Sequence, residues 1–162
     1  MNLGADSIAV GAPAPEFALR DQHNVVTSLA DFRGRVVLLV FYPLAFTGVC
    51  AGELNLIQGD LEALQNDEVQ VLAVSVDSPY TLRVFSDNEG FKFPLLSDFW
   101  PHGGTAQAYG IFDAGSGVAT RATFLIDAEG IVRWKVISDL SHPRDHAAYY
   151  DALATLTGAE GA

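Results

Sequence analysis

One cysteine, Cys50, serves the whole chain of 162 residues. A lone thiol closes no disulfide within its own chain, and it cannot make the C-x-x-C pair of a thioredoxin-type oxidoreductase. This usage suits a reducing compartment, so a cytoplasmic protein is expected. Cations are also scarce: nine lysines and arginines stand against 20 acidic residues, for a net charge of −11. Nucleic acid and anionic membrane are therefore excluded as main partners, because phosphate binding needs a basic patch. The longest apolar run, residues 36–46, is interrupted by Pro43 and falls short of the ~18 residues that a membrane span needs. Residues 1–9 have neither a basic nor a long apolar region, so no signal peptide is expected. No N-x-Ser/Thr site occurs.

What is present is a well-packed chain, 49% hydrophobic and 18% charged, which argues against disorder. Its length predicts one domain over residues 1–162, with residues 1–9 as a flexible extension. After the Pro-rich entry 10–17, two short strands are predicted at 17–19 and 25–29, joined by a polar turn at 21–24. Residues 31–35 read as a loop. The runs 36–42 and 69–76 have the length and β-branched content of buried parallel strands. Between them Leu54, Ile57, Leu61 and Leu64 recur at helical spacing. Asp77 or Ser78 can cap a further helix, with Pro79 at its first position and Gly90 as its stop. A short extended piece at 93–98 and a brief helix at 105–109 follow. Short strands at 111–112 and 118–119 flank a turn-rich loop. A hairpin is predicted from 122–126 and 131–137, and then a final helix opened by Pro143. Strand–helix–strand units in this order predict an α/β protein with a mixed central β-sheet and helices on both faces.

The chemistry centres on residues 36–53. Pro43 ends the first buried strand. Thr47 takes the N-cap position of the next helix, and Cys50 lies in its first turn. The free amides and dipole of a helix N-terminus favour an anion there, and a neighbouring arginine adds to that preference. The default for one cysteine is an inert buried side chain; the surrounding string argues otherwise. Pro43-x-x-x-Thr47-x-x-Cys50, with Phe41-Tyr42 before it and Glu53 after it, resembles the active-site pattern of the peroxiredoxins. Arg121-Ala-Thr-Phe-Leu-Ile-Asp127 resembles that family's second motif, an arginine that opens a strand and faces the thiolate. Phe93-Pro-Leu-Leu-Ser-Asp98 and Ser75-Val-Asp77 match further blocks in the same order, and the likeness spans residues 10–156.

The resemblance implies a thioredoxin-like fold and a thiol peroxidase without a cofactor or metal. It makes Cys50 the group that attacks a hydroperoxide, Thr47 and Arg121 the groups that bracket the peroxide oxygens, Pro43 a shield against water, and Glu53 the carboxylate that orients Arg121. The stretches P-L-A-F-T-G-V-C and L-L-S-D-F-W-P-H-G are similar to the one-cysteine, alkyl hydroperoxide reductase E type. That likeness implies a homodimer acting on hydrogen peroxide, fatty-acid hydroperoxides and peroxynitrite. With no second cysteine, the sulfenic acid must be reduced by an external thiol. Candidates are mycothiol with mycoredoxin, glutathione with glutaredoxin, bacillithiol, or thioredoxin. A peroxide-sensing relay would carry the same site, and a catalytically silent thioredoxin-like binding module is the third reading.

Other features have plainer explanations. His142 and His146, at i, i+4, are expected in a solvated first helical turn and not as metal ligands. His23 and His102 read as loop residues, with nothing to bring either to Cys50 as a hydrolase would need. Gly103-Gly104 lacks the context of a dinucleotide loop. Phe99-Trp100-Pro101 is expected in the core, with a pocket wall or dimer contact as the alternative.

Overall fold

Two uninterrupted apolar runs set the centre of the molecule. The computed structural model describes residues 7–157. Its elements run β1 (Ala18–Arg20), β2 (Val26–Ser28), a 3-10 turn (Leu29–Phe32), β3 (Val36–Phe41), α1 (Gly48–Gly59), α2 (Leu61–Leu64), β4 (Val69–Ser75), α3 (Pro79–Glu89), β5 (Leu95–Ser97), α4 (Gly104–Ala108), β6 (Phe112–Asp113), β7 (Val118–Ala119), β8 (Arg121–Ile126), β9 (Val132–Ser138) and α5 (Ala148–Thr157). The sheet has the order β2-β1-β5-β4-β3-β8-β9. β3, β4 and β5 are mutually parallel, whereas β8, β9, β1 and β2 run antiparallel to their neighbours.

Every residue of β3 and β4 is buried, because both faces of the sheet are covered and side chains alternate between them. Leu38, Val40, Val71 and Ala73 meet Leu54 and Ile57 of α1, Leu82 and Phe85 of α3, and Leu153 of α5 on one face. Val37, Leu39, Phe41, Leu72 and Val74 meet Phe17, Ala106 and Tyr109 on the other. This is the expected thioredoxin-like α/β arrangement. The α3 signals act as read: the Ser78 hydroxyl accepts from Thr81 N–H, Pro79 opens the helix, and Gly90 ends it at φ 79°. Among the described residues no helix is long and apolar enough to cross a membrane.

Four expectations need correction. The helix after Cys50 does not continue to Leu64; it stops at Gly59 and restarts at Leu61. Glycine weakens the helix, and Asp60 adopts φ −111° and ψ 22° at the break. Leu29–Phe32 forms a 3-10 turn where a strand end and a loop were expected, with Ser28 N–H bonded to the Asp31 carboxylate. The last helix begins at Ala148 and not at Pro143. Backbone N–H groups before it are held elsewhere, by Asp139 at Ser141 and His142 and by Glu53 at Arg144. Finally, Trp100 is 81% exposed and Phe99 51% exposed. The core position is taken instead by Asp98, whose buried carboxylate accepts the N–H groups of Thr105 and Ala106 at the start of α4.

Of the extension expected over residues 1–9, residues 1–6 lie outside the described residues. Ile8 donates its N–H to Tyr109 O and accepts from Lys135 Nζ through its carbonyl.

Candidate active site

The site forms at the carboxyl end of β3. Tyr42 makes a last ladder bond to Val74 O, and the buried Pro43 turns the chain out of the sheet. The following turn is pinned by the Asp77 carboxylate, which accepts Ala45 N–H at 2.8 Å and the Ser75 hydroxyl at 2.6 Å. Phe46 holds φ 65°, a region that bulky residues rarely enter, with its ring 5.0 Å from that of Phe85. Thr47 takes the N-cap backbone conformation (φ −91°, ψ 146°), but its side chain caps nothing. It is exposed, and its hydroxyl donates to Leu44 O at 2.9 Å. The N–H groups of Gly48, Val49 and Cys50 then open α1 with no acceptor inside the helix.

Cys50 has no exposed surface. Its sulfur lies 3.2 Å from Nη1 of Arg121, the first residue of β8, which the antiparallel register with β3 brings to the same end of the sheet. The guanidinium is fixed on both sides: Nε donates to Leu140 O at 2.9 Å, and Nη1 donates to Glu53 Oε1 at 2.8 Å. Glu53 follows Cys50 by three residues, which puts both side chains on one face of α1. The structure thus gathers Pro43, Thr47, Cys50, Glu53 and Arg121 at one end of the sheet. His23, His142 and His146 make their contacts elsewhere.

One residue of this cluster escaped the sequence reading. Arg144, buried in the connection between β9 and α5, bonds to both oxygens of Glu53: Nη2 to Oε1 at 2.8 Å, and Nε and the backbone N–H to Oε2 at 3.0 and 2.7 Å. Its Nη1 donates to Phe41 O, Ala122 O and Thr123 Oγ1 at 2.5, 3.0 and 3.2 Å. No local pattern marks it, because its partner Glu53 is 91 residues away.

Burial by itself would raise the Glu53 carboxyl. The hydrogen bonds from Arg144 and the charges of Arg144 and Arg121 outweigh it and hold the carboxyl below the usual carboxylate range. Two guanidiniums against one carboxylate leave a net positive charge beside the Cys50 sulfur. Such a cage can stabilise an anion on sulfur and can donate to an oxygen leaving from it.

The expected first helical turn around His142 and His146 is replaced by an irregular segment. The exposed His142 pairs with Asp139 at 2.6 Å, and His146 pairs with Asp60 at 2.9 Å. Among the described residues no group of three or more His, Cys, Asp or Glu side chains is arranged to hold a metal ion.

The model of the AhpC/TSA family matches residues 10–135. The chain belongs to the AhpC/TSA family. It is 48% identical to the alkyl hydroperoxide reductase E of Mycobacterium tuberculosis strain H37Rv over 149 residues, covering 91% of this chain and 97% of that protein. Peroxiredoxin-2 of Cricetulus griseus is 36% identical over 148 residues, 85% of this chain and 74% of its own. Among solved structures, the reduced 2-Cys peroxiredoxin of Plasmodium vivax superposes with a TM-score of 0.83 at 31% identity, covering 95% of this chain and 84% of its own. The AhpC of Enterococcus faecalis gives 0.82 at 27% identity, over 93% and 95%. Within this AhpC/TSA member, Cys50, Glu53 and Arg121 fall inside the matched stretch and Arg144 lies beyond its end.

Proposed function

We propose that this single-domain peroxiredoxin of the alkyl hydroperoxide reductase E type reduces hydroperoxides through Cys50 and is recycled by an external thiol. The observation that carries the reading is the 3.2 Å contact between Arg121 Nη1 and Cys50 Sγ, made while Glu53 and Leu140 O hold the guanidinium in place.

The Cys50 thiolate attacks the distal oxygen of ROOH. An S–O bond forms, the O–O bond breaks, and RO⁻ leaves to be protonated by water; the sulfur becomes a sulfenic acid that keeps the distal oxygen's proton. As the oxygen leaves, its charge grows beside Arg121 and the free N–H groups at the start of α1. The Thr47 hydroxyl donates to Leu44 O, which leaves its lone pairs free to accept the hydroperoxide O–H. Pro43 keeps bulk water from the sulfur, and Glu53 orients Arg121. Cys50 has no exposed surface, so peroxide reaches the sulfur only when the side chains that cover it part. Replacement Thr47→Val should slow oxidation of Cys50 about tenfold, the upper end for one hydrogen bond. Thr47→Ser should stay near wild type, and stopped-flow mixing with hydrogen peroxide separates the two.

Closing the cycle takes two thiols. The first displaces hydroxide from the sulfenic acid, giving water and a mixed disulfide; the second releases the Cys50 thiol and carries away a disulfide. The chain has one cysteine, so both thiols come from outside. Mycothiol with mycoredoxin is the favoured pair, and glutathione with glutaredoxin, bacillithiol and thioredoxin are the alternatives. The setting is the cytoplasm and the substrates include fatty-acid hydroperoxides. A homodimer would cover exposed apolar side chains such as Phe46, Tyr80, Val84, Phe99 and Trp100. Mass spectrometry of oxidised protein incubated with each thiol tests the scheme: a one-oxygen adduct at Cys50, then a mixed disulfide, then the free thiol. An adduct that none of these thiols removes would contradict turnover and favour a sensing relay.

A further inference from the structure

Helix α1 is gripped at two places by the connection between β9 and α5. Near its start, Arg144 holds Glu53. At the break after its end, His146 Nε2 meets Asp60 Oδ2 at 2.9 Å. Glu53 and Asp60 are seven residues apart, two helical turns, and so lie on one face about 10 Å apart along the axis. Arg144 and His146 are two residues apart on the strap that spans that face. The imidazole is wedged, with a side chain only 17% exposed and its ring edge-on to Tyr149 and Tyr150 at 5.5 and 5.7 Å. The Tyr150 hydroxyl also bonds to Asp60, and with the His146 bond it keeps that carboxyl below its ordinary range. Tyr149, on the other side, places its hydroxyl 2.9 Å from Thr123 Oγ1, the same oxygen that accepts from Arg144.

We infer that the His146–Asp60 contact is a latch that sets the tilt of α1, making both side chains positioning residues for the oxidation of Cys50. Neither touches the reacting atoms. Arg144 is anchored to the sheet through Phe41 O and Ala122 O, so the near end of α1 is fixed as a pivot through Glu53. The far end is held on the strap's side by the latch, and on the other by Gln58, which accepts Lys92 N–H at 2.7 Å, and Asn55, which donates to Glu89 at 2.8 Å. Released from the latch, the helix rocks about Glu53, and the sulfur moves relative to a guanidinium that Leu140 O holds still. A donor placed to meet a developing charge loses much of its effect with a shift of a fraction of an ångström to an ångström. The Asp60 side chain is 48% exposed, and a contact open to solvent on one side adds little to global stability, so the effect should appear in rate and not in unfolding.

This inference rests on the peroxidase reading, and its test is arranged to fail separately from it. His146→Gln, Asp60→Asn, the double variant and the swap Asp60→His/His146→Asp are compared with wild type. Three measurements are made on each: Cys50 oxidation by hydrogen peroxide, Cys50 alkylation by iodoacetamide, and thermal unfolding. Each single variant should oxidise roughly three- to tenfold more slowly and alkylate severalfold faster, as the sulfur leaves its cover, with unfolding unchanged. The double variant should be no worse than either single, and the swap should recover most of both rates, as one shared contact requires. Wild-type rates in the singles, losses that multiply in the double, or losses that track a drop in unfolding temperature would each overturn the latch. If wild-type Cys50 itself meets peroxide no faster than a free thiol, the peroxidase reading falls, and the alkylation series still decides whether the latch positions the sulfur.

Discussion

Replacing Arg121 by methionine should slow the oxidation of Cys50 by hydrogen peroxide by about a hundred- to a thousandfold. Forming the thiolate accounts for little of a peroxidase rate. For thiols in general, bringing the pKa from ~8.5 to ~6 raises the thiolate fraction at pH 7 roughly thirtyfold, while the accompanying loss of nucleophilicity takes back roughly tenfold. A fast peroxidase must therefore stabilise the leaving oxygen, and one preorganised donor in a covered site is worth about 2.7–4 kcal/mol. Arg121 is such a donor, with Leu140 O, Glu53 Oε1 and the sulfur sharing one guanidinium. Glu53 keeps its bonds to Arg144 in the variant, so the fold should survive. Arg121→Lys should rescue only part of the rate, because a single ammonium cannot reproduce the planar fork that serves three acceptors at once. Stopped-flow kinetics decide it, and a wild-type rate in Arg121→Met would leave the leaving oxygen to the first-turn amides of α1.

The second large effect is on stability. Arg144→Leu strips donors from Phe41 O, Ala122 O, Thr123 Oγ1 and both oxygens of Glu53, all within a buried cluster. Removing one partner of a buried pair costs about 3–5 kcal/mol, which for a domain of this size lowers the thermal midpoint by roughly 10 °C. The variant should also lose activity, since Glu53 then keeps only Arg121 and the backbone N–H of residue 144. Its pH behaviour has a definite sign. In the native protein the Glu53 carboxyl is held below its unfolded value. Its contribution is therefore complete above that unfolded value, ~4.3, and is lost as the pH falls through the lower, folded value. Without Arg144 the desolvation of Glu53 is less opposed, its folded value rises, and acid unfolding should begin at higher pH. Urea and acid titrations of both proteins measure these shifts; coincident curves would show that Arg144 fills space and little more.

The legible part of the site is its local part. Pro43, Thr47 and Cys50 fall within one string, and Glu53 is one turn further along the same helix, so spacing alone puts them together. Arg121 is distant in the chain, and only the likeness of Arg121-Ala-Thr-Phe-Leu-Ile-Asp127 to the family's second motif brought it to the thiol. The unreadable part is held by contacts between remote segments. Arg144 follows Pro143, a normal helix opening, and only the approach of Glu53 across 91 residues turns that stretch into a strap. The same strap removed the expected helical turn around His142 and His146. Asp60 interrupted a helix whose apolar periodicity ran on to Leu64, because periodicity records which face is buried and not whether the axis is continuous. Trp100 misled in a different way: aromatic character predicted burial, whereas the chain places it 81% exposed.

The most direct test of the account is rapid mixing of the reduced protein with equimolar hydrogen peroxide, read by intrinsic tryptophan fluorescence and by the mass of the product. Trp134 is placed to report, with its ring 6.0 Å from that of Tyr149, whose hydroxyl reaches the Thr123 oxygen bound by Arg144. The account predicts a fluorescence change many orders of magnitude faster than the oxidation of a free thiol, one oxygen added at Cys50, and neither signal in Cys50→Ser. Oxidation at the pace of a free thiol, or peroxide consumption that persists in Cys50→Ser, would contradict it.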